Sequence, residues 1–203
     1  MPDPEFDRCL RAVLATLALD LSGDQLGKLF SHFELLQRWN RRISLTSIRT
    51  PSESAERHFG ESLFLARNLP EKGTLADVGS GAGFPGIPVA TIRPGMQVTL
   101  IESVAKKATF LKEVTRDYRN VRVLPNRVEM TDGQFDWVTM RAVAPAPLMT
   151  LLSGRAKRLA LLVGDKDAED LTRSPLFDWK PPIRVPWGDH RLLLIGNSRN
   201  IPT

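Results

Sequence analysis

Residues 77–88 read D-V-G-S-G-A-G-F-P-G-I-P, and this stretch decides the fold. Its four glycines follow an apolar run at 75–78, and a second apolar run at 98–101 ends in Glu102. The order strand, glycine loop, helix, strand and acid is typical of an α/β sheet that binds an adenosine-containing cofactor. Glycine lets the backbone approach such a ligand, because no Cβ stands in the way.

Two cofactor classes compete for this loop. Gly81-x-Gly83-x-x-Gly86 matches the dinucleotide fingerprint of nicotinamide-dependent oxidoreductases, in which a helix N-terminus holds a pyrophosphate. Asp77-x-Gly79-x-Gly81-x-Gly83 matches the loop of Rossmann-like methyltransferases that bind S-adenosylmethionine (SAM). Asp77 would repel a pyrophosphate but suits the ammonium and sulfonium of SAM. We therefore predict a SAM site that includes Asp77, Gly79, Gly81 and Gly83.

The composition is that of a globular protein. The 203 residues suffice for one α/β domain with a small extension, and 42% of them are hydrophobic. No apolar run approaches the ~20 residues that span a bilayer, and Met1–Arg11 carries three acids, unlike a secretory signal. Cys9 is the only cysteine, which excludes an internal disulfide and a cysteine-based metal site. We expect a cytoplasmic monomer that uses neither a membrane nor a metal ion.

Positive charge is concentrated in two parts of the chain. The net charge is +5 and the isoelectric point about 9.7, which favours polyanionic partners. The first basic group comprises Arg38, Arg41, Arg42, Arg49, Arg57 and His58. The second comprises Arg116, Arg119, Arg122 and Arg127. We interpret the first group as a nucleic-acid contact, whereas for the second a solvated face stays open.

Periodicity and capping divide the chain into a helical extension, 1–72, and a sheet domain, 73–203. Helical spacing covers 6–19, Ser22 and Gln25 form a capping box for a second helix, and a further helix is predicted over 54–68. Strands are predicted at 75–79, 97–101, 121–124, 135–140, 159–163, 183–186 and 191–196. Helices fit at 85–92, 104–117, 145–152 and 165–173. This alternation predicts an α/β fold, a Rossmann-like, mainly parallel, seven-stranded sheet with a terminal antiparallel hairpin. Methyltransferase sheets have that hairpin, and dinucleotide dehydrogenase sheets lack it.

Residues after later strands are further candidates for the site. Glu102 would accept hydrogen bonds from the cofactor ribose. Val128 and Glu129 follow the third strand, where the adenine of the cofactor would lie. Arg141 ends the fourth strand and would meet the substrate or the cofactor carboxylate. A structural Arg141, paired with Asp77 or Glu102, is the alternative.

The sequence offers little acid–base machinery. The Asn/Asp-Pro-Pro-aromatic run of many exocyclic-amine methyltransferases is absent, and no cysteine lies near the pocket motifs, which disfavours a covalent mechanism. His58 is the sole candidate base. Guanine N7 is an acceptor that needs no base, because its lone pair is unprotonated at neutral pH. Positioning and electrostatics can then supply the catalysis, and Arg141 is the candidate for that part.

Six segments carry a family resemblance. They are WNRRISLT at 39–46, HFGESL at 58–63, DVGSGAGFPGIP at 77–88, IESVAKKATFLKEV at 101–114, RVE at 127–129 and FDWVTMRAVA at 135–144. The chain closely resembles the bacterial small-subunit rRNA (guanine-N7)-methyltransferases, the RsmG or GidB family. The first two segments are the most specific, because generic methyltransferases lack them.

The resemblance implies a reaction and a cofactor. SAM would donate a methyl group to N7 of a guanosine in the decoding-centre hairpin of 16S rRNA, as naked RNA or within the small ribosomal subunit. Gly79 and Phe84 would contact SAM, and Glu102 its ribose. Val128 and Glu129 would flank its adenine.

The resemblance also implies which residues bind RNA, and the sequence departs from the family's pattern at three positions. Arg141 would stand beside the methyl-transfer site, while Asn40, Arg41 and His58 would contact RNA or close the pocket. Ser44 replaces the second Asn that is usual in the family's Trp-Asn segment, and Glu61 replaces the usual Asp of the His-x-x-Asp-Ser segment. Val163 replaces a Lys that is common at the end of the fifth strand. Lys166 is the candidate substitute for that Lys in binding RNA. Two other functions stay open, a SAM- or RNA-binding module without catalysis and a nicotinamide-dependent oxidoreductase.

Overall fold

A twisted sheet of eight strands forms the centre of the protein. The structure, a computed structural model, describes residues 3–188 and 190–201. The strands are β1 (Lys72–Val78), β2 (Gly95–Ile101), β3 (Val121–Leu124), β4 (Phe135–Arg141), β5 (Ala156–Gly164), β6 (Phe177–Trp179), β7 (Ile183–Arg184) and β8 (Arg191–Ser198). Their order is β3-β2-β1-β4-β5-β8-β6, and β7 also pairs with β8.

The first five strands are parallel, and β8 is antiparallel to β5. From β1 the chain moves outward to β2 and β3, then returns to place β4 on the other side of β1. In such sheets ligands bind at the carboxyl ends of the strands where the order reverses. The predicted Rossmann-like α/β fold with its terminal antiparallel hairpin is confirmed.

The strand count exceeds the prediction by one. β6 and β7 both pair with the same edge of β8, so they are two pieces of one edge strand. Pro181 and Pro182 lie between the pieces. Proline has no N–H to donate to the sheet, so it interrupts the ladder and is tolerated at an edge. The prediction missed β6, because three strand residues before two prolines give little periodic signal.

Helices cover both faces of the sheet. They are α1 (Pro4–Thr16), α2 (Gly23–Asn40), α3 (Pro51–Glu53), α4 (Glu61–Arg67), α5 (Gly86–Ile92), α6 (Ala105–Val114), α7 (Met149–Ser153) and α8 (Asp165–Thr172). A π-helical segment, Ser54–Gly60, joins α3 to α4. The Ser22–Gln25 capping box is confirmed. Thr50 caps α3, so the helix predicted over 54–68 begins three residues earlier.

The helical extension and the sheet share one hydrophobic core. On one face, Phe6, Leu29 and Phe59 from the extension belong to the same buried cluster as Leu75 and Leu100 of the sheet. On the other face α7 and α8 cover a second cluster. Because neighbouring strand residues point to opposite faces, each central strand supplies both clusters. Residues 3–67 are therefore anchored against the sheet, and part of the segment 45–58 lies at the carboxyl ends of its strands.

Candidate functional site

A cavity of about 590 Å³ opens at the carboxyl ends of β1, β2 and β4, a volume within the range of small-molecule sites. The sheet contributes the glycine loop, Glu102 and residues 141–143. The extension contributes residues 45–48 together with Arg57 and His58. Glu53 of the extension, Lys107 and Arg191 complete the wall. The cavity thus lies between the sheet and the segment that carries the first basic group.

The glycines of the loop serve two different purposes. Gly79, Gly81 and Gly83 have φ values of +73°, +55° and +89°, in the region that favours glycine. A Cβ on Gly79 would lie 2.4 Å from Val143, and one on Gly83 would lie 2.3 Å from Ile87. A Cβ on Gly81 would meet only a carbonyl oxygen at 3.7 Å. Packing therefore requires glycine at 79 and 83, whereas Gly81 borders the open cavity.

Asp77 lies beneath the loop and outside the cavity wall. Its side chain is fully buried, and Oδ2 accepts a hydrogen bond of 3.0 Å from the N–H of Gly86. Oδ1 has no hydrogen-bond partner among the described residues. Burial raises the pKa of Asp77 to about 7. Asp77 thus fixes the start of α5 and places a carboxyl group under the loop, and its contact with a cofactor ammonium stays a prediction.

Glu102 is held at the cavity by the backbone. Its Oε2 accepts from the N–H of Gly81 at 2.9 Å, and its Oε1 accepts from the N–H of Val104 at 2.7 Å. The side chain is buried, yet it lines the cavity. Each carboxylate oxygen keeps further acceptor capacity, so a diol can still donate to it. This geometry supports the prediction that Glu102 binds a ribose.

The Glu102 prediction has a direct test. We expect Glu102→Gln to weaken binding of SAM by about 1.5–3 kcal/mol, because charged hydrogen bonds to two hydroxyls are lost or weakened. Calorimetry with SAM and its 2′-deoxy analogue would measure this. The parent should discriminate against the analogue, and the variant should bind both about equally. Equal binding of both ligands by the parent would remove Glu102 from the ribose site.

His58 and Arg141 meet at the back of the cavity. Nη1 of Arg141 donates to Nδ1 of His58 at 2.9 Å, so the ring carries its proton on Nε2. Nε2 in turn donates to Oγ1 of Thr46 at 2.8 Å. Burial, reinforced by the positive charge of Arg141, lowers the pKa of His58 to about 3. The imidazole is neutral, and both of its nitrogens are engaged.

His58 lies in the π-helical segment, and Trp187 from the C-terminal part of the chain donates a hydrogen bond to this segment. The carbonyl of Glu56 accepts from the N–H of Glu61, five residues on, and from the indole of Trp187 at 2.7 Å. Gly60 is required under this ring, because a Cβ there would lie 2.4 Å from it. Single π-helical turns are frequent at functional sites, and this one turns His58 toward the cavity.

Arg141 is paired with a residue that the sequence analysis did not choose. Its Nε lies 3.3 Å from Oε2 of Glu61, and Nε of Arg191 lies 3.6 Å from Oε1 of the same carboxylate. The alternative structural role of Arg141 named Asp77 or Glu102 as its partner. Burial lowers the pKa of Arg141 to about 10, which leaves it charged at neutral pH. Glu61 lies on α4, so this ion pair joins the extension to β4 at the cavity wall.

A family model for rRNA small subunit methyltransferase G, GidB, matches residues 25–171. The chain belongs to this family. It is 41% identical over 175 residues to the ribosomal RNA small subunit methyltransferase G of Halorhodospira halophila, with 82% of each protein covered. The protein of that name from Geotalea uraniireducens is 33% identical over 195 residues, covering 90% of this chain and 89% of the relative.

Solved methyltransferases share the fold. A ribosomal protein L11 methylase from Lactobacillus delbrueckii superposes with a TM-score of 0.60 at 16% identity, over 70% of this chain and 80% of the other. A magnesium protoporphyrin IX methyltransferase from Synechocystis, solved with SAM bound, gives 0.60 at 15% identity over 88% and 98%. Together with the family, these findings identify a SAM-dependent methyltransferase. The oxidoreductase and the non-catalytic module are set aside.

Phe84, which the family resemblance predicts to contact SAM, has its ring between two imidazoles. His58 stacks on it with centroids 4.5 Å apart, and His32 with centroids 4.6 Å apart. Nε2 of His32 also donates to the carbonyl of Ala82 at 2.8 Å. His32 was expected to be a packed residue and is fully buried, but its bond to the loop was missed. Nothing in helical periodicity could have revealed it.

Val128 and Glu129 lie in a short 3₁₀ turn after β3 and outside the cavity wall. Val128 is buried in the second core cluster, and Glu129 is exposed. Arg155 donates to the carbonyls of Val128 and Thr131 and so fixes this turn. The turn follows the carboxyl end of β3, the edge at which the cavity opens. Their contact with an adenine stays a prediction, with Arg155 as the support that the sequence analysis missed.

The predicted RNA-binding residues occupy three different environments. Arg41 and Arg42 are exposed, as expected of phosphate contacts. The side chain of Asn40 instead accepts from the N–H groups of Leu45 and Thr46 and donates to the carbonyl of Thr46. Its hydrogen bonds therefore shape the cavity wall, and its contact with RNA stays a prediction.

His58 is buried in the cavity wall, and its contact with RNA stays a prediction. Lys166 is exposed at the start of α8, away from the cavity wall. Val163, which replaces the family's Lys, is buried in the second core cluster. The sequence analysis missed the wall residues Thr46 and Arg191, because their positions depend on tertiary packing, and it selected Arg57 only as a member of the first basic group.

Within residues 3–188 and 190–201, no helix has the length and apolar character needed to cross a bilayer. In the same ranges, no group of three His, Cys, Asp or Glu side chains is placed to hold a metal ion.

Proposed function

We propose that this protein transfers a methyl group from SAM to N7 of a guanosine in the decoding-centre hairpin of 16S rRNA. The names of its relatives support the RNA class, and the cavity supports the cofactor. The backbone at Gly79 and Gly81 would hold SAM closely, and Glu102 would bind its ribose. SAM supplies an electrophilic methyl group on a sulfonium. The protein's part is to bind, to orient and to exclude water.

The neutral protonation state of His58 is the observation that favours guanine N7 as the methyl acceptor. A ring whose pKa is about 3, and whose Nδ1 already accepts from Arg141, takes no proton from a substrate at neutral pH. An exocyclic amine or a hydroxyl must lose a proton during methylation, whereas guanine N7 loses none. The product is a cationic guanine, so no general base is required. The arrangement therefore supports N7 and gives His58 a positioning role.

Arg141 has a positioning role in the same proposal. Its guanidinium is fixed on two sides, by Glu61 and by His58, and it lines the cavity. A charge held this rigidly can orient a substrate oxygen or a cofactor carboxylate without reorganising during the reaction. Guanine presents O6 and N7 as neighbouring acceptors, and arginine is their commonest specific partner in nucleic-acid recognition.

The absence of a base predicts a pH profile. At saturating SAM and RNA, we expect kcat to change less than about twofold between pH 6 and 8, because His58 stays neutral throughout this range and saturating SAM masks any effect on cofactor binding of the titration of Asp77 near pH 7. Single-turnover transfer of a labelled methyl group would measure it. A kcat that falls about tenfold per pH unit on acidification would indicate a general base and would contradict N7 as the acceptor.

The extension would bind the RNA. Arg41 and Arg42 are exposed beside the cavity wall, and phosphate contacts depend on salt because binding releases counterions. We expect Arg41→Ala/Arg42→Ala to weaken RNA binding and to reduce the salt slope by roughly one unit per lost contact. Affinity for SAM should stay at the parental value. Titrations of RNA and of SAM at several salt concentrations would measure both.

The second basic group provides the matched control. Arg116 and Arg119 are equally exposed but follow α6, away from the cavity wall. Arg116→Ala/Arg119→Ala removes the same charge, so a nonspecific effect of net charge should appear in both double variants. Equal salt slopes for the two variants would reduce the Arg41–Arg42 pair to a solvated face.

We further propose that the enzyme acts as a monomer in the cytoplasm on RNA of the small subunit.

A further inference from the structure

A second cavity, of about 370 Å³, lies beside the cofactor cavity. It is formed by the end of α2, the turn that follows and the first turn of α6. Its wall consists of Arg38, Trp39, Arg41, Arg42, Ile43 and Lys106. Four of these six residues are cationic and none is acidic. We call it the Trp39 pocket.

The cations of this pocket have no acidic partners. In the part of the chain that the structure describes, none of the four forms an ion pair, although all are exposed. Other exposed cations of the extension do form pairs, since Arg11, Lys28 and Arg57 each contact an acid four residues earlier. Four neighbouring unpaired cations repel one another, and a polyanion would relieve this repulsion.

The floor of the pocket is apolar and rigid. Trp39 is half-buried and packs edge-on against Phe110, with centroids 5.8 Å apart. Its carbonyl accepts from the N–H groups of Arg42 and Ile43, each at 2.9 Å. The hydrogen bonds from Asn40 to residues 45–46 hold the next part of the turn. The pocket therefore exists before any ligand binds.

The pocket and the cofactor cavity are lined by neighbouring residues of the same two segments. Lys106 lines the pocket, and Lys107 lines the cavity. The turn after α2 likewise passes from Ile43 in the pocket to Leu45 and Thr46 in the cavity. This adjacency places the pocket next to the cavity that we propose receives an RNA nucleotide.

We propose that the Trp39 pocket binds one unpaired nucleotide of the RNA that flanks the target guanosine. The base would lie against Trp39 and Ile43, and the adjacent phosphates would contact the four cations. Aromatic contact combined with basic residues is the usual means of binding single-stranded RNA. This inference rests on the proposed function, because it assumes that the cofactor cavity receives an RNA nucleotide.

Abasic scanning tests the proposal. Hairpins from the 16S rRNA decoding centre, each lacking one base near the target guanosine, would be titrated against the parent and Trp39→Ala. In the parent, one abasic position should weaken binding by about tenfold to a hundredfold, the range for contact of a base with an aromatic ring. In Trp39→Ala the same abasic position should cause no further loss. Trp39→Phe should restore the sensitivity, which separates lost contact from lost folding.

Two results would overturn the proposal. One is a Trp39→Ala variant that shows the same loss of binding as the parent at every abasic position. The other is a parent that methylates whole subunits but binds the hairpin no better than a duplex of equal length, since a nucleotide site needs no other part of the ribosome. The proposed function has a separate readout. A parent that shows the Trp39 coupling but transfers no methyl group to any RNA would keep the pocket and refute the reaction.

Discussion

Gly81→Val is expected to abolish measurable binding of SAM while the protein stays folded. A Cβ added at position 81 meets only one protein atom within 4 Å, a carbonyl oxygen at 3.7 Å, so it points into the open cavity. The valine side chain would therefore occupy the space in which we propose that SAM lies against the backbone of the loop. The φ of +55° adds a backbone cost of roughly 1–2 kcal/mol. Calorimetry should show a loss of affinity of more than about a hundredfold, which corresponds to about 2.7 kcal/mol.

Two further glycines provide the controls. Gly133→Val introduces the same residue at a φ of +109° with no atom within 4 Å of its Cβ, so it carries the backbone cost outside the cavity. It should bind SAM as the parent does. Gly83→Ala would place its Cβ 2.3 Å from Ile87 and should reduce stability more than either. Unchanged SAM affinity in a folded Gly81→Val variant would remove the glycine loop from the cofactor site.

Glu61→Leu is expected to lower the free energy of unfolding by about 3–5 kcal/mol, because it leaves Arg141 as an uncompensated buried charge. Glu61 is 2% exposed, and the side chain of Arg141 is 8% exposed. Chemical denaturation would measure the change. Glu53→Ala is the matched control, since it breaks the exposed pair with Arg57 and should cost less than about 1 kcal/mol. Equal effects of the two substitutions would contradict the importance of the buried pair.

A double variant separates the two roles of Arg141. Glu61→Leu/Arg141→Met should recover most of the lost stability, because well-packed apolar residues can replace a buried ion pair at little cost. It should not recover methyl transfer, since the guanidinium that we propose positions the substrate is absent. A double variant that is both stable and fully active would leave Arg141 with a structural role alone.

The fold was predictable because its signals are local. The glycine loop, Glu102 and the alternation of strands with short helices lie in continuous stretches of sequence. Ser22 and Gln25 likewise specify a helix start within four residues. Where the local signal is short, as in the three residues of β6, the prediction failed.

The site was only partly predictable, because several of its contacts join distant residues. Asp77 and Glu102 were selected by sequence position, but only the structure shows that one lies beneath the loop and the other in the cavity wall. The pairing of Arg141 with Glu61 spans 80 residues of sequence, and its contact with His58 spans 83. Such pairings follow from how α4 is placed on the sheet, and no periodicity encodes that placement.

The chemical role of His58 changed most between sequence and structure. The sequence left it as the sole candidate base and as a candidate RNA contact, because a histidine in a basic segment fits either use. Burial and the guanidinium of Arg141 lower its pKa to about 3, which removes the first use at neutral pH. Its place between Thr46 and Phe84 makes it part of the cavity wall.

The central claim is that this protein methylates guanine N7 in 16S rRNA, and the methylation state of that RNA tests it most directly. The 16S rRNA would be isolated from cells with the gene, from cells without it, and from deleted cells that carry Gly81→Val or Gly133→Val. Mass spectrometry of nuclease fragments would then locate N7-methylguanosine. We predict that one decoding-centre guanosine loses this methyl group on deletion, and that Gly133→Val restores it while Gly81→Val does not. An unchanged methylation pattern in the deleted cells would contradict the claim.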